Sequence, residues 1–173
     1  AGRGVVAAAS YEARAFGIHS AMPAARALRL CPEAVFLRPD FRRYVAESER
    51  IVAIFRDYSP IVQPMSLDEA YIDVTDRLGS FPSATAIAAD VRRRVSSEVR
   101  LTVSVGVAPN KLVAKIASDH RKPDGLTVVP PRRVLSFLEG GFTPVALAEG
   151  ARAHVEGMAE SGLPASNAGM AVQ

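Results

Sequence analysis

Residues 64 to 74 read PMSLDEAYIDV and set two carboxylates, Asp68 and Glu69, side by side in an otherwise apolar, strand-forming run. An unpartnered buried carboxylate is costly or becomes protonated, so this pair calls for positive charge. In an extended strand, neighbouring side chains point to opposite faces. Asp68 then shares a face with Ala70, Ile72 and Val74, and Glu69 shares the other with Leu67 and Tyr71. On a flat strand the two acids do not converge. At the mouth of a hairpin the twisted backbone lets both approach one cation. Magnesium prefers oxygen ligands and keeps several waters, so a few carboxylates plus substrate phosphates make an ordinary site. From the dipeptide alone a solvated turn is the favoured reading, and the apolar surroundings raise the functional one only modestly.

Two basic constellations accompany the acids. SVGVAPNKLVAKIASDHRKPDGL, residues 104 to 126, runs from a strand through a helix into a turn. Gly106 leaves room for something to approach the strand closely. Lys111 and Lys115 fall on the helix, and His120, Arg121 and Lys122 on the basic turn. The Gly-rich Lys-Ser/Thr pattern of a P-loop is absent. Cations near a helix end also satisfy its dipole, a plainer role. In SYEARAFG, Tyr11 and Arg14 are three apart on one helix face. Such a pair is able to grip phosphate and sugar, and is also common surface.

The elements that must hold these residues are readable from periodicity. GVVAAAS predicts a short buried strand, and YEARAFG a helix capped by Ser10 and closed by Gly17. A second short helix follows Ser20 or Ala21, with Pro23 in its first turn and Pro32 at its end. AVFLRP, residues 34 to 39, predicts a strand. Residues 40 to 60 give the clearest helix, with Phe41, Tyr44, Val45, Ser48, Ile51, Val52 and Phe55 at three-and-four spacing. A hairpin joined near Met65 to Asp68 comes next, then a helix with Ala84, Ile87, Val91 and Val95 inward. A strand through Val103, Val105 and Val107, a helix with Leu112, Val113, Ile116 and Ala117 inward, a Pro-Asp-Gly turn, a strand and a last helix complete the order. The expected fold is α+β: a palm-like, mixed, mostly antiparallel sheet with helices on one face, plus a small helical region. From Glu139 onward the chain is rich in Ala and Gly and reads as a loosely ordered tail.

Composition sets the outer bounds. The 173 residues are 49% hydrophobic and 23% charged, typical of a chain that buries a core. A net charge of +3 permits a polyanionic partner without requiring one. With 6% aromatics and no Trp, a base-stacking platform is poorly supported. No apolar run approaches the roughly 18 residues of a membrane span. The single Cys31 forms no internal disulfide, which points to a reducing, cytoplasmic setting. His19, His120 and His154 are too dispersed for a site, and Arg92, Arg93 and Arg94 read as a solvated helix face.

AAASYEARAFGIHSAMP, SLDEAYIDVT and SVGVAPNKLVAKIASDHRKPDGLTVV, in that order, resemble the Y-family translesion DNA polymerases, in particular the bacterial DNA polymerase IV type. The likeness covers about residues 2 to 138. It implies a fingers-like region over 1 to 40, a palm-like domain over 41 to 129, and the start of a thumb-like helix at 130 to 138, with 139 to 173 unmatched. It implies that Asp68 and Glu69 are catalytic carboxylates and ligands of two Mg2+ ions, and that Tyr11, Arg14 and Lys122 contact the nucleotide phosphates. Primer-template DNA and deoxynucleoside triphosphates are the implied partners, with a processivity clamp reached through parts beyond this sequence and no membrane. In that family a third metal-binding Asp lies on a strand that would precede Ala1, so two of three carboxylates are expected here and activity of the chain alone is expected to be weak or nil. Two other readings fit parts of the pattern: a non-catalytic nucleotide- or partner-binding module, and a nucleotidyl cyclase. The cyclase hairpin carries Gly-Gly before its acids, where this chain has Met65, Ser66 and Leu67.

Overall fold

Apolar residues at helical and strand spacing gather into three buried clusters, and these define the architecture. The computed structural model describes residues 4–139 and 169–173. It divides into two units, Ala1–Phe41 and Arg42–Gln173. Among the described residues no helix is long and apolar enough to cross a membrane.

The first unit holds two short helices, α1 (Tyr11–Ala15) and α2 (Ala24–Leu30). Ser10 caps α1 as expected, its Oγ accepting from the Ala13 amide at 3.2 Å. Gly17 follows the helix at φ +78, a conformation that costs glycine little. Ile18, Met22 and Ala27 form the core of the unit, with Cys31 packed against them. Two expected strands do not form. GVVAAAS makes a single bridge, Val5 to Pro23, and Val5 is exposed. AVFLRP lies between Pro32 and Pro39 with Val35 and Leu37 exposed, and no neighbouring strand of its unit pairs with it.

The second unit is a five-stranded sheet in the order β1-β2-β5-β3-β4. Its strands are β1 (Val62–Pro64), β2 (Ala70–Asp73), β3 (Val105–Ala108), β4 (Leu126–Val128) and β5 (Gly169–Val172). All neighbouring pairs are antiparallel except β3 with β4. The α+β class and the mostly antiparallel sheet therefore stand, but the helices cover both faces. On one face α3 (Phe41–Tyr58) and α4 (Ala84–Arg94) supply Ile54, Phe55, Tyr58, Ile87 and Val91, and the π-helical turn Val95–Val99 that continues α4 supplies Val95, to a core with Ile72, Val74, Val105 and Val107. On the other, α5 (Lys111–His120) and α6 (Val134–Glu139) pack on Tyr71, Ala108 and Ala171. The strands carry apolar residues at successive positions, so both faces have surface to bury.

Two further expectations are amended. Residues 140–168 of the tail lie outside the described residues, but Gly169–Val172 is an ordered strand. Its Met170, Ala171 and Val172 are buried, and its backbone pairs with β2 on one side and β3 on the other. The arginine run is only in part a solvated face. Arg92 binds the Asp124 carboxylate at 2.9 Å, and Arg94 binds Asp57 at 2.8 Å and Glu98 at 2.6 Å, whereas Arg93 is 69% exposed. Arg94 also lies over the Tyr58 ring, whose hydroxyl donates to Asp90 at 2.5 Å, so α3 and α4 are tied by charge as well as packing.

Helix α5 reaches the sheet through Gly106. A Cβ built there would lie 2.0 Å from the Ala114 carbonyl oxygen and 2.4 Å from the Ser118 nitrogen. Backbone cannot yield as a flexible side chain does, so Gly106→Ala is expected to destabilise the fold by about 3 kcal/mol or more. Gly79→Ala, where a Cβ meets nothing within 4 Å, is expected to stay within about 0.5 kcal/mol of the parent. Urea denaturation of the two variants checks both.

Candidate active site

Hairpin β1–β2 brings the two acids to its mouth. The register pairs Pro64 with Ala70, and the amide of Met65 donates to the Glu69 carbonyl at 2.8 Å, which closes the turn over 66 to 68. Asp68 is exposed there. Its Oδ1 accepts from the Ser66 hydroxyl at 2.6 Å, and its amide donates back to that hydroxyl at 3.3 Å. This local exchange holds the carboxylate in the turn without neutralising it.

Glu69 sits one residue on, at the start of β2, and is half-buried. Its Oε1 takes the Lys115 ammonium at 2.7 Å and the Gln173 amide at 3.2 Å. Lys115 belongs to α5 and Gln173 follows β5, so three separate elements converge on one carboxylate. One helical turn before Lys115, Lys111 donates to Gln63 Oε1 at 2.5 Å and lies 5.6 Å from the centroid of the Tyr71 ring. The alternation read from the sequence holds. Ala70, Ile72 and Val74 join the core under α3 and α4, while Tyr71 faces α5, on the side of Glu69 and Lys115.

Tyr71 responds to this setting. Burial, and then the negative charge of Glu69, push its hydroxyl up to about 12. Tyr58 on the other face is also raised, by burial first and the hydrogen bond to Asp90 second.

The remaining sequence-predicted residues stand elsewhere. Lys122, in the turn after α5, pairs with Asp119 at 3.1 Å. Both partners are partly exposed, so the pair holds Lys122 weakly. The turn is held to α4 by Arg92, which donates to the Asp124 carbonyl as well as its carboxylate. In the first unit, the Arg14 guanidinium lies 5.3 Å from the centroid of the Tyr11 ring and donates to the Ala9 carbonyl at 3.1 Å. Both residues are exposed.

The donor set at the hairpin is hard oxygen, and one of the two carboxylates already accepts a cation from Lys115. That chemistry fits magnesium with water and phosphate as further ligands. Among the described residues no group of three or more His, Cys, Asp or Glu side chains is gathered to hold a metal. In the sequence Lys115 is one of two helix cations, and its meeting with Glu69 is not evident there, though its one-turn spacing from Lys111 is a usable signal. Gln173 gave no signal, because it fell in the segment read as a tail.

The sequence pattern of the impB/mucB/samB family matches residues 1–119. The chain belongs to this family. The Y-family assignment made from the motifs therefore stands. The chain is similar to the DNA polymerase IV of Alkalilimnicola ehrlichii, 60% identical over 137 residues that make up 79% of this chain and 39% of the relative. It is 57% identical to the DNA polymerase IV of Pseudomonas aeruginosa over 136 residues, again 79% of this chain and 39% of the relative. Its fold is similar to the DinB crystal structure from Sulfolobus solfataricus, with a TM-score of 0.76 and 34% identity over 88% of this chain and 47% of that one. An insertion ternary complex of Dbh DNA polymerase gives a TM-score of 0.76 and 37% identity, over 80% of this chain and 40% of that one. The chain thus spans about two fifths of the length of the curated relatives it matches.

The raised Tyr71 makes a prediction about alkaline stability. Its folded value, about 12, lies above the ordinary value near 10. Its contribution is therefore fully present below pH ~10 and is lost as pH rises toward ~12, because the unfolded chain ionises first. The parent is expected to lose about 2 kcal/mol more than Tyr71→Phe across that window. Urea midpoints of the two proteins, taken at intervals from pH 9 to 12, read the difference.

Proposed function

We propose that this chain carries the fingers and palm portions of a translesion DNA polymerase, which extends a primer past template lesions by two-metal nucleotidyl transfer. The observation that supports this most is the acidic pair at the mouth of a palm-sheet hairpin, faced by a helix cation, in a chain of the Y family. On this reading residues 1 to 40 act as fingers, 41 to 129 as palm, and 130 to 138 begin a thumb. The substrates are deoxynucleoside triphosphates and primer-template DNA, and the setting is cytoplasmic.

Asp68 and Glu69 would hold Mg2+ through their carboxylate oxygens. When bound, the metal supplies Lewis-acid stabilisation of the attacking 3′ oxygen and of the leaving pyrophosphate. Lys122 is released from its weak surface pair with Asp119 to meet phosphate oxygens. In the first unit, Arg14 offers a planar fork of donors suited to nucleotide phosphate, and Tyr11 a hydroxyl. Donors of these types orient a nucleotide and offset charge that grows on the phosphates during transfer. Ser66, by holding Asp68 Oδ1, keeps that carboxylate in one orientation within an exposed turn.

A second reading has its own support. Only two carboxylates meet at the hairpin among the described residues, and the chain covers 39% of its relatives. Nucleotide binding without turnover, or binding to a partner, is what such a set would retain. Titration calorimetry and primer extension on the same preparation separate the readings. The chain is expected to bind a deoxynucleoside triphosphate only with Mg2+, and Asp68→Ala to weaken that binding at least tenfold. Primer extension is expected to run at least a hundredfold below a full-length relative. Extension at the relative's rate would overturn the weak-activity expectation. No Mg2+-dependent nucleotide binding would sink the metal role of the acidic pair.

A further inference from the structure

Glu69 Oε1 is already doubly engaged, by the Lys115 ammonium at 2.7 Å and the Gln173 amide at 3.2 Å. Lys115 leaves solvent to make this contact, its side chain being 24% exposed. It is carried on a helix that packs closely on the sheet at Gly106, which sets where the base of its side chain stands. Met65, Glu69, Ala70, Tyr71, Lys115 and Ala171 line the small cleft where the pair meets. Asp68, on the other side of the turn, makes no ion pair among the described residues. The two neighbouring acids therefore differ: one is open to a cation and the other is filled by one.

We propose that Lys115 is a built-in counter-ion for Glu69 that competes with the divalent cation, so that metal entry must break the Lys115–Glu69 pair. This deepens the metal reading above and rests on it. An ammonium and a hard divalent cation seek the same carboxylate oxygen, and both cannot keep it at contact distance. With the pair closed, Glu69 is compensated in its half-buried place. With the metal bound, the ammonium is displaced toward the open side of the cleft, one turn from Lys111, where anionic phosphate is its natural partner. Lys115 is thus a positioning residue. It keeps the hairpin acid from standing uncompensated and couples metal loading to the arrival of a polyanion.

The test uses Mn2+ alone as probe, followed by electron paramagnetic resonance of the free ion, without nucleotide or DNA. Lys115→Met keeps the length of the side chain and removes its charge. It is expected to bind Mn2+ at least tenfold more tightly than the parent. Lys111→Met removes the same formal charge one turn away without touching Glu69, and is expected to change the affinity by less than threefold. Far-ultraviolet circular dichroism of each variant establishes that it is folded. In the parent, the 15N resonance of the Lys115 ammonium is expected to shift or vanish as Mg2+ is added, a readout that needs no variant. Equal Mn2+ affinity of parent and Lys115→Met, or equal tightening by both lysine variants, overturns the counter-ion role and leaves the metal site in place. If neither parent nor variant binds Mn2+ in a manner lost in Asp68→Ala, the metal assignment itself falls, and the proposal with it.

Discussion

Helix α5 can lie against the sheet only because position 106 has no side chain. Its backbone at Ala114 and Ser118 occupies the space that any Cβ at that position would claim. The register of α5 on the sheet follows from this contact, and so does the placing of every cation the helix carries. Lys111 comes down over Tyr71 and Gln63, and Lys115 over Glu69. A helix standing one side chain farther out would put those ammonium groups beyond contact with the hairpin. A packing constraint in the middle of the sheet thereby sets an electrostatic one at its end.

The two faces of the sheet divide the work. The face under α3 and α4 is dry and apolar, and its polar ties, Arg94 to Asp57 and Tyr58 to Asp90, lie at the rim between helices. The face under α5 is smaller and lined by alanine and valine, which lets the helix approach closely and brings charge to the strand ends. Asp68 lies in the turn and Glu69 just before β2, so the pair has two environments at a single turn. Solvent and a serine hydroxyl surround one acid, and a lysine and an amide the other.

Most of this was legible in the sequence where the signal is local. The cap at Ser10, the hairpin around Met65 to Asp68, the buried stripe of α4 and the close approach at Gly106 each rest on residues a few positions apart. The failures share a cause. GVVAAAS and AVFLRP have strand-like composition, but a strand exists only with a partner, and partners are not a local property. Helix α3 showed an apolar stripe along its whole length, yet Phe41 and Val45 stay exposed because the sheet meets only its second half. The tail was read from its small residues as loose, although Gly169–Val172 pairs on both sides within the sheet, far in sequence from β2 and β3. For the site, the acids and the basic turn were visible as types. Which cation meets which acid was not, since Lys115 and Glu69 are brought together only by the packing of α5.

That last pairing bears on how an acidic hairpin persists as an ordered turn. Adjacent carboxylates repel, and the repulsion grows as the turn is covered. One remedy is exposure, which Asp68 has. The other is a counter-ion, which Glu69 has. A fold that exposed both would leave both carboxylates mobile in water. A fold that paired both with lysines would leave neither acid open to a further cation. Leaving one acid open and pairing the other with a single ammonium keeps the hairpin ordered and one carboxylate accessible. Lys115 is carried by the same helix that leads into the turn bearing Lys122, so the cation at the acidic pair and the basic turn are placed by one element rather than by separate loops.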